Sequence, residues 1–284
     1  MAGINKIAVL GTGIMGSGIA QVAAQGGYQV TMRDVDQKFL DRASATIQKS
    51  LGIMQEKGKL SAEQVSEILP RVKGTTDFAE AVKDADLVIE AIPEDLELKK
   101  QIFIELDKVC RPDTILGTNT SSLSITTIAA VTKRPDKVIG IHFANPVPVM
   151  LGVEIIRGRE TSDGTLQAAL EVCKQMGRDP FVALDFPGFG GNRLLPLFIN
   201  EAFYVVWQGI CTPEDLDKSC KLMLRHPMGP MELADFTGLD TILSILEYLH
   251  REMDDKYRPC PLLKQLVAAG HLGRKTGRGV YKYT

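Results

Sequence analysis

A glycine-rich turn set between a strand and a helix constrains this chain more than any other feature. Lys6-Ile7-Ala8-Val9-Leu10 is a short apolar run of strand type, and it ends at Gly11-Thr12-Gly13-Ile14-Met15-Gly16. A helical run follows (Ile19, Ala20, Val22, Ala23, Ala24) and is closed by Gly26-Gly27. A second strand, Tyr28 to Arg33, stops at Asp34. In this arrangement Gly11 permits the tight turn, Gly13 lets the backbone approach a phosphate, and Gly16 lets the helix pack closely on the sheet. The helix N-terminus offers N–H donors and partial positive charge to an anion. A lone glycine pattern is weak evidence, but here strand, helix, second strand and acid fall in order. The segment therefore predicts a dinucleotide site with Gly11, Gly13, Ile14, Met15 and Gly16 around the pyrophosphate. Asp34 stands where an acid meets the ribose hydroxyls, which favours NAD over NADP. Arg33 beside it pulls the other way, so NADP stays open as the lesser alternative.

At 284 residues the chain exceeds one average domain, and two are expected. A net charge of −2 gives no reason to expect nucleic acid or a membrane surface as a partner. The five cysteines are scattered without CxxC pairs or metal-ligand spacing, which reads as free thiols in a reducing cytoplasm. No metal site is expected. A strand begins after five residues, so no signal or transit peptide is expected, and no apolar run has the length of a membrane span.

After Asp34 the strand–helix alternation is interrupted. Residues 36–58 carry Phe39, Leu40, Ala43, Ile47, Leu51 and Met54 near helical spacing. Ser61-Ala62-Glu63-Gln64 is a capping-box start for a second helix that ends near Leu69-Pro70. A helical hairpin at about 36–70 thus precedes the strand Val72 to Thr75. Alternation then resumes, with strands at 86–92, 114–118, 137–141 and 153–156 and helices at 96–109 and 162–176. Ligands of open α/β sheets sit beyond the carboxyl ends of strands. That rule gathers Gly11 to Gly16, Glu94, Asn119 to Ser122 and His142 around one crevice. From Asn192 onward the pattern is almost wholly helical: 192–208, 213–224, 231–236, 241–253 and 261–269. The expected fold is α/β: a Rossmann-type domain over 1–185 with an inserted helical hairpin, then an all-helical domain over 186–284. The second domain is expected to bind substrate and to form a homodimer.

His142-Phe143-Ala144-Asn145-Pro146, followed by Val153-Glu154, is the candidate centre of chemistry. A histidine leaving a strand beside a nicotinamide site can take the proton of an alcohol, because imidazole titrates near neutral pH. A carboxylate such as Glu154 can hold the other ring nitrogen. Spacing alone equally allows a histidine that merely caps a strand and a glutamate that faces solvent.

The motifs carry the reading further. GTGIMGSGIAQ at 11–21, RDVD at 33–36, NTSSLSI at 119–125, HFANP at 142–146 and GFGGNR at 188–193 lie along the chain, followed by HPMGPMELADFTGLD at 226–240 and GRKTGRGVY at 273–281. Together they make the chain resemble the 3-hydroxyacyl-CoA dehydrogenase family from Ile4 to Tyr283. The resemblance implies an NAD-dependent L-3-hydroxyacyl-CoA dehydrogenase interconverting (S)-3-hydroxybutanoyl-CoA and acetoacetyl-CoA. It makes His142 the general base and Glu154 its partner. Ser121 is implied as a contact to substrate and cofactor, and Asn192 as a donor to the substrate oxygen. Asp34, Glu94, Lys99, Asn119, Asn145 and Lys275 are implied as cofactor contacts, and Ser50 and Lys57 as contacts to CoA. Two alternatives stand beside this reading: a hydroxy-acid or sugar-acid dehydrogenase on the same scaffold, and a catalytically silent NAD-binding protein.

The chain departs from the family's usual residues at several places. Ala144 stands where a second aromatic is common, and Gly190 and Gly191 where bulkier apolar residues are. Leu151-Gly152 replaces a common Lys-Leu pair, Ile53 a common lysine, and Pro93 an aliphatic or small residue. Lost volume at Ala144, Gly152, Gly190 and Gly191 suggests a roomier acyl site. Turnover compared across C4 to C8 acyl-CoA substrates is expected to fall gradually with length; a sharp C4-only preference contradicts the roomier site.

Overall fold

The computed structural model describes residues 3–283. The chain divides into two compact units, Met1–Phe186 and Pro187–Thr284.

The first unit is built on a sheet of eight strands ordered β3-β2-β1-β4-β5-β6-β7-β8. In chain order β1 (Lys6–Leu10), α1 (Ile14–Gln25) and β2 (Gln29–Arg33) form the first βαβ turn. Helices α2 (Gln37–Glu56) and α3 (Ala62–Ile68) form the inserted hairpin before β3 (Val72–Thr75). Then come α4 (Phe78–Val82), β4 (Leu87–Glu90), α5 (Leu96–Val109), β5 (Ile115–Thr118), α6 (Ile125–Ala129) and β6 (Val138–Phe143). The unit closes with β7 (Gly152–Arg157), α7 (Asp163–Gln175) and β8 (Asp179–Leu184).

Strands β4 and β5 are buried along their whole length, as is β1 after Lys6. That is why their sequences read as continuous apolar runs: helices cover both faces of a parallel sheet. The hairpin forms as its sequence requires. Leu40, Ala43, Ile47 and Leu51 make one buried stripe on α2, and Asp36 caps its first turn. Ser61 and Gln64 form the reciprocal capping box at the start of α3. Strand order reverses between β1 and β4, which opens a crevice at their carboxyl ends.

Three elements have no counterpart in the sequence reading. The five-residue helices α4 and α6 are too short to show periodicity. Strand β8 begins Asp179-Pro180 and sits at the sheet edge, with Phe181 and Leu184 more than half exposed. An edge tolerates proline, but a half-exposed strand lacks the apolar run that marks a central one. Strand β7 runs antiparallel to β6, whereas β1 to β6 are mutually parallel.

The second unit packs α8 (Gly191–Trp207), α9 (Pro213–Met223), α10 (Pro230–Thr237), α11 (Leu239–Glu252) and α12 (Pro261–Ala268) around Ile199, Phe203, Met231, Leu246 and Tyr257. Two buried aspartates tie its last residues down. Asp235 accepts from the amides of Val280 and Tyr281 and from the Tyr283 hydroxyl. Asp217 accepts from the amides of Met231 and Glu232 and from the Tyr281 hydroxyl. The motifs at 226–240 and 273–281 thus meet at buried carboxylates whose acceptors are met by donors, as burial demands. No described helix is long and apolar enough to cross a membrane.

Burial and the bond to Asp235 push the Tyr283 phenol up to about 12 from 10.0. A raised phenol pKa adds stability that is complete below pH 10 and is lost as pH rises toward 12. Denaturant titrations of the full chain are expected to show stability falling across that window. Tyr283→Phe should make the fall shallower; an unchanged slope contradicts the assignment.

Candidate functional site

The glycine turn closes the carboxyl end of β1. Gly11 adopts φ +86°, and its amide donates to the Arg33 carbonyl at 2.9 Å. A Cβ at Gly11 would lie 2.7 Å from the Ala91 carbonyl oxygen, and one at Gly16 would lie 1.8 Å from the Gly11 oxygen. Neither position can hold a side chain. A Cβ at Gly13, by contrast, meets nothing within 4 Å. Gly13 is therefore required to be bare only if something outside the described residues approaches it. Gly13 is also the N-cap of α1, whose first turn has no side-chain cap and no acid, leaving its donors to an anion. Ile14 next to it is 79% exposed and Met15 is half-buried.

Asp34 is locked onto this turn. Its Oδ2 accepts from the Thr12 amide at 2.8 Å and the Thr12 hydroxyl at 2.7 Å, and its Oδ1 accepts from the Val35 amide. A carboxylate oxygen has two acceptor directions, so Oδ1 retains one for a ribose hydroxyl. The Arg33 guanidinium stacks over the Phe78 ring, 5.5 Å from its centre. The turn, the uncapped helix and the anchored acid fit a dinucleotide.

At the end of β6, His142 pairs across the sheet with Glu154 of β7. Directly opposed residues of antiparallel strands point their side chains to one face. His142 Nδ1 lies 3.3 Å from Glu154 Oε2, with the Glu154 side chain 4% exposed. The reading in which Glu154 faces solvent is thereby excluded. The spacing of twelve residues reflects a loop at 144–151 that reverses the chain.

Between these two features lies the Asn119–Ser122 turn, which follows β5. Asn119 is buried, and its Oδ1 accepts from the Phe143 amide at 2.9 Å, tying the ends of β5 and β6 together. Glu94 Oε1 accepts from the amides of Ser121 and Ser122 and from the hydroxyls of Thr120 and Ser122. Lys99 is buried on α5 and reaches Glu90, Glu94 and the Ile92 carbonyl. Sequence reasoning missed Glu90. Its signal was present, since a carboxylate inside a fully buried parallel strand needs a partner.

A cavity of about 350 Å³ lies along the glycine turn and α2, bordered by Gly13, Ile14, Arg42, Thr46, Ser50 and Asn145. Ser50 and Asn145 thus share a space with the glycine turn. Arg42 and Thr46 were also missed, although Arg42, Thr46 and Ser50 fall at i, i+4 and i+8 on one helix. Lys57 is the exposed C-cap residue of α2 and does not border the cavity. Asn192 and Lys275 belong to the second unit. Asn192 is the second residue of α8, and Lys275 Nζ donates to Asp240 Oδ2 at 2.7 Å.

Comparison with known proteins accounts for nearly the whole chain. The family described as 3-hydroxyacyl-CoA dehydrogenase, NAD binding domain, matches residues 6–186, and 3-hydroxyacyl-CoA dehydrogenase, C-terminal domain, matches 188–283. A probable 3-hydroxybutyryl-CoA dehydrogenase of Deinococcus radiodurans is 50% identical over 98% of this chain and 100% of its own. A 3-hydroxybutyryl-CoA dehydrogenase of Bradyrhizobium diazoefficiens is 47% identical over 99% of this chain and 96% of its own. The crystal structure of the (S)-3-hydroxybutyryl-CoA dehydrogenase of Ralstonia eutropha superposes with a TM-score of 0.96 at 46% identity, covering 99% of each chain.

The geometry separates two glycines that the motif treats alike. Gly13→Ala should leave the melting temperature unchanged while weakening NADH binding by about tenfold or more, read by nucleotide fluorescence. Gly11→Ala should lower the melting temperature as well. Equal effects of the two on stability contradict the assignment.

Proposed function

The chain belongs to the 3-hydroxyacyl-CoA dehydrogenase family, and from that premise we propose that it interconverts (S)-3-hydroxybutanoyl-CoA and acetoacetyl-CoA with NAD. The observation that carries this reading is the pairing of His142 with a buried Glu154 at a strand end in the same unit as the dinucleotide turn.

With its Nδ1 proton donated to Glu154, the imidazole presents Nε2 as an acceptor. In the oxidative direction Nε2 takes the alcohol proton as the C–H hydrogen departs with its electron pair, and the resulting imidazolium is stabilised by Glu154. In reduction the imidazolium returns that proton to the ketone oxygen. The nicotinamide, when bound, supplies or receives the hydride. Ser121 and Asn192 are the proposed donors to the substrate oxygen, where charge develops. Asp34 would repel a 2′-phosphate, and Arg33 is engaged with Phe78, which supports NAD over NADP. Ser50 is proposed to line the CoA groove, with Arg42 beside it and Lys57 pairing with CoA phosphates.

The proposed assembly is a homodimer through the second unit. Its support is apolar surface there: Leu194, Ile210, Leu222 and Met223 are each more than 60% exposed. Light scattering at micromolar concentration is expected to give twice the mass of the 31.1 kDa chain; a monomer contradicts it.

Purified protein is expected to oxidise NADH with acetoacetyl-CoA, and NADPH at least about tenfold less efficiently. His142→Ala should lower kcat by about 10²–10⁴-fold, and Glu154→Gln should lower it too, with NADH affinity retained. A His142→Ala protein that keeps wild-type turnover overturns the proposal.

A further inference from the structure

The segment that presents Ser121 leads from the end of β5 into the first turn of α6. Its amides have no ladder there, and the first amides of a helix have no intrahelical partner, so each needs an acceptor of its own. Some acceptors are local. The Leu123 amide donates to the Thr120 hydroxyl at 2.9 Å and the Thr127 amide to the Ser124 hydroxyl at 3.1 Å. The others come from elsewhere in the chain. Glu94 Oε1 takes the amides of Ser121 and Ser122. Asp185 takes the next pair: Oδ1 accepts from the Ile125 amide at 3.1 Å, and Oδ2 accepts from the Thr126 amide at 2.7 Å and the Ser124 hydroxyl at 2.8 Å. Two distant carboxylates thus hold the segment on either side of Leu123.

Asp185 is itself held. It follows the last residue of β8, where Leu184 pairs with Arg157, and its amide donates to the Arg157 carbonyl at 3.1 Å. The start of α6 is seated on the neighbouring strands. Ile125 is fully buried, and a Cβ at Gly140 of β6 would lie 2.9 Å from its Cδ1. The Thr126 hydroxyl accepts from the Arg159 amide at 3.0 Å, just past the end of β7. Two residues beyond Asp185 the chain leaves the first unit at Pro187, and Asn192 follows in the same GFGGNR run. Ser124 already supplies the N-cap bond of α6, so the Asp185 carboxylate adds to a helix start that has its cap.

We propose that Asp185 is a positioning residue for the reaction: its carboxylate ties the place where the chain leaves the first unit to the segment that presents Ser121. This rests on the dehydrogenase reading above and deepens it, because Ser121 and Asn192, the two proposed donors to the substrate oxygen, then share one anchor. Without that carboxylate the Ile125 and Thr126 amides and the Ser124 hydroxyl lose their acceptor, and both the segment and the chain exit are released from one another.

The test is a pair of double-mutant cycles in the full chain, Asp185→Ala with Ser121→Ala and Asp185→Ala with Asn192→Ala, assayed as NADH oxidation by acetoacetyl-CoA. Asp185→Ala is expected to lower kcat/KM by about 10–100-fold, and each double variant should fall no more than about threefold below its worse single variant. Losses that multiply in either cycle overturn the proposal, as does an Asp185→Ala protein that melts earlier yet keeps wild-type kcat/KM, because a cap that serves stability alone gives those results. If circular dichroism shows Asp185→Ala unfolded, Asp185→Asn, which keeps the shape and one acceptor oxygen, takes its place in the same cycles. Wild-type protein inert toward acetoacetyl-CoA removes the dehydrogenase reading itself; active wild type with multiplying losses removes only the positioning role.

Discussion

Two carboxylates, Glu90 and Glu154, are buried at the carboxyl edge of the sheet, and the first unit's site is arranged around meeting their charge. An ionised carboxylate taken from water costs several kcal/mol unless donors or cations replace its hydration. Glu90 is met by an ammonium, an amide and a hydroxyl. Glu154 is met by an imidazole. The two solutions differ in a way that suits their roles. Lys99 also bonds the Ile92 carbonyl and so ties the β4–α5 connection to Glu90, whereas imidazole is the side chain suited to moving a proton.

The reversal of β7 makes the second solution possible. Six parallel strands deliver loops to one edge of the sheet, but they do not bring a residue of one strand opposite a residue twelve positions later. An antiparallel return does so directly, through the pairing of Gly140 with Ile156 onward to Phe143 with Val153. Asn119 secures the same corner from β5 by accepting the Phe143 amide. Gly152, one of the positions where the chain departs from its family, begins the return, and a Cβ there would lie in ordinary contact with Phe181 at 3.6 Å. Phe181 of the edge strand thus occupies space beside Gly152.

Much of this was legible in the chain. The first βαβ turn, the α2–α3 hairpin and the α5 boundaries follow from periodicity and caps, which act over one or two turns of helix. The helical character of the second unit follows from the same local signals. The geometry of the candidate site was legible where a motif carries it: the turn at Gly11 to Gly16 with Asp34 anchored on it, and the approach of His142 to Glu154. What could not be read depends on contacts between segments far apart in sequence. The direction of β7 is set by pairing, and β8 is too exposed and too proline-marked to resemble a strand. Lys99 looks like any helix lysine until Glu90 is seen beneath it. Asp217 and Asp235 likewise show as ordinary surface acids until the C-terminal tyrosines fold back onto them.

The measurement that bears most directly on the central claim is a comparison of acetoacetyl-CoA with free acetoacetate as oxidants of NADH under identical conditions. Binding energy from a remote handle is used at the reacting centre, so removal of CoA should cost turnover as well as affinity. The account predicts kcat/KM at least about 100-fold higher for the CoA ester. Equal efficiency on the free acid, or a preference for it, contradicts an acyl-CoA dehydrogenase and favours a hydroxy-acid enzyme on the same scaffold.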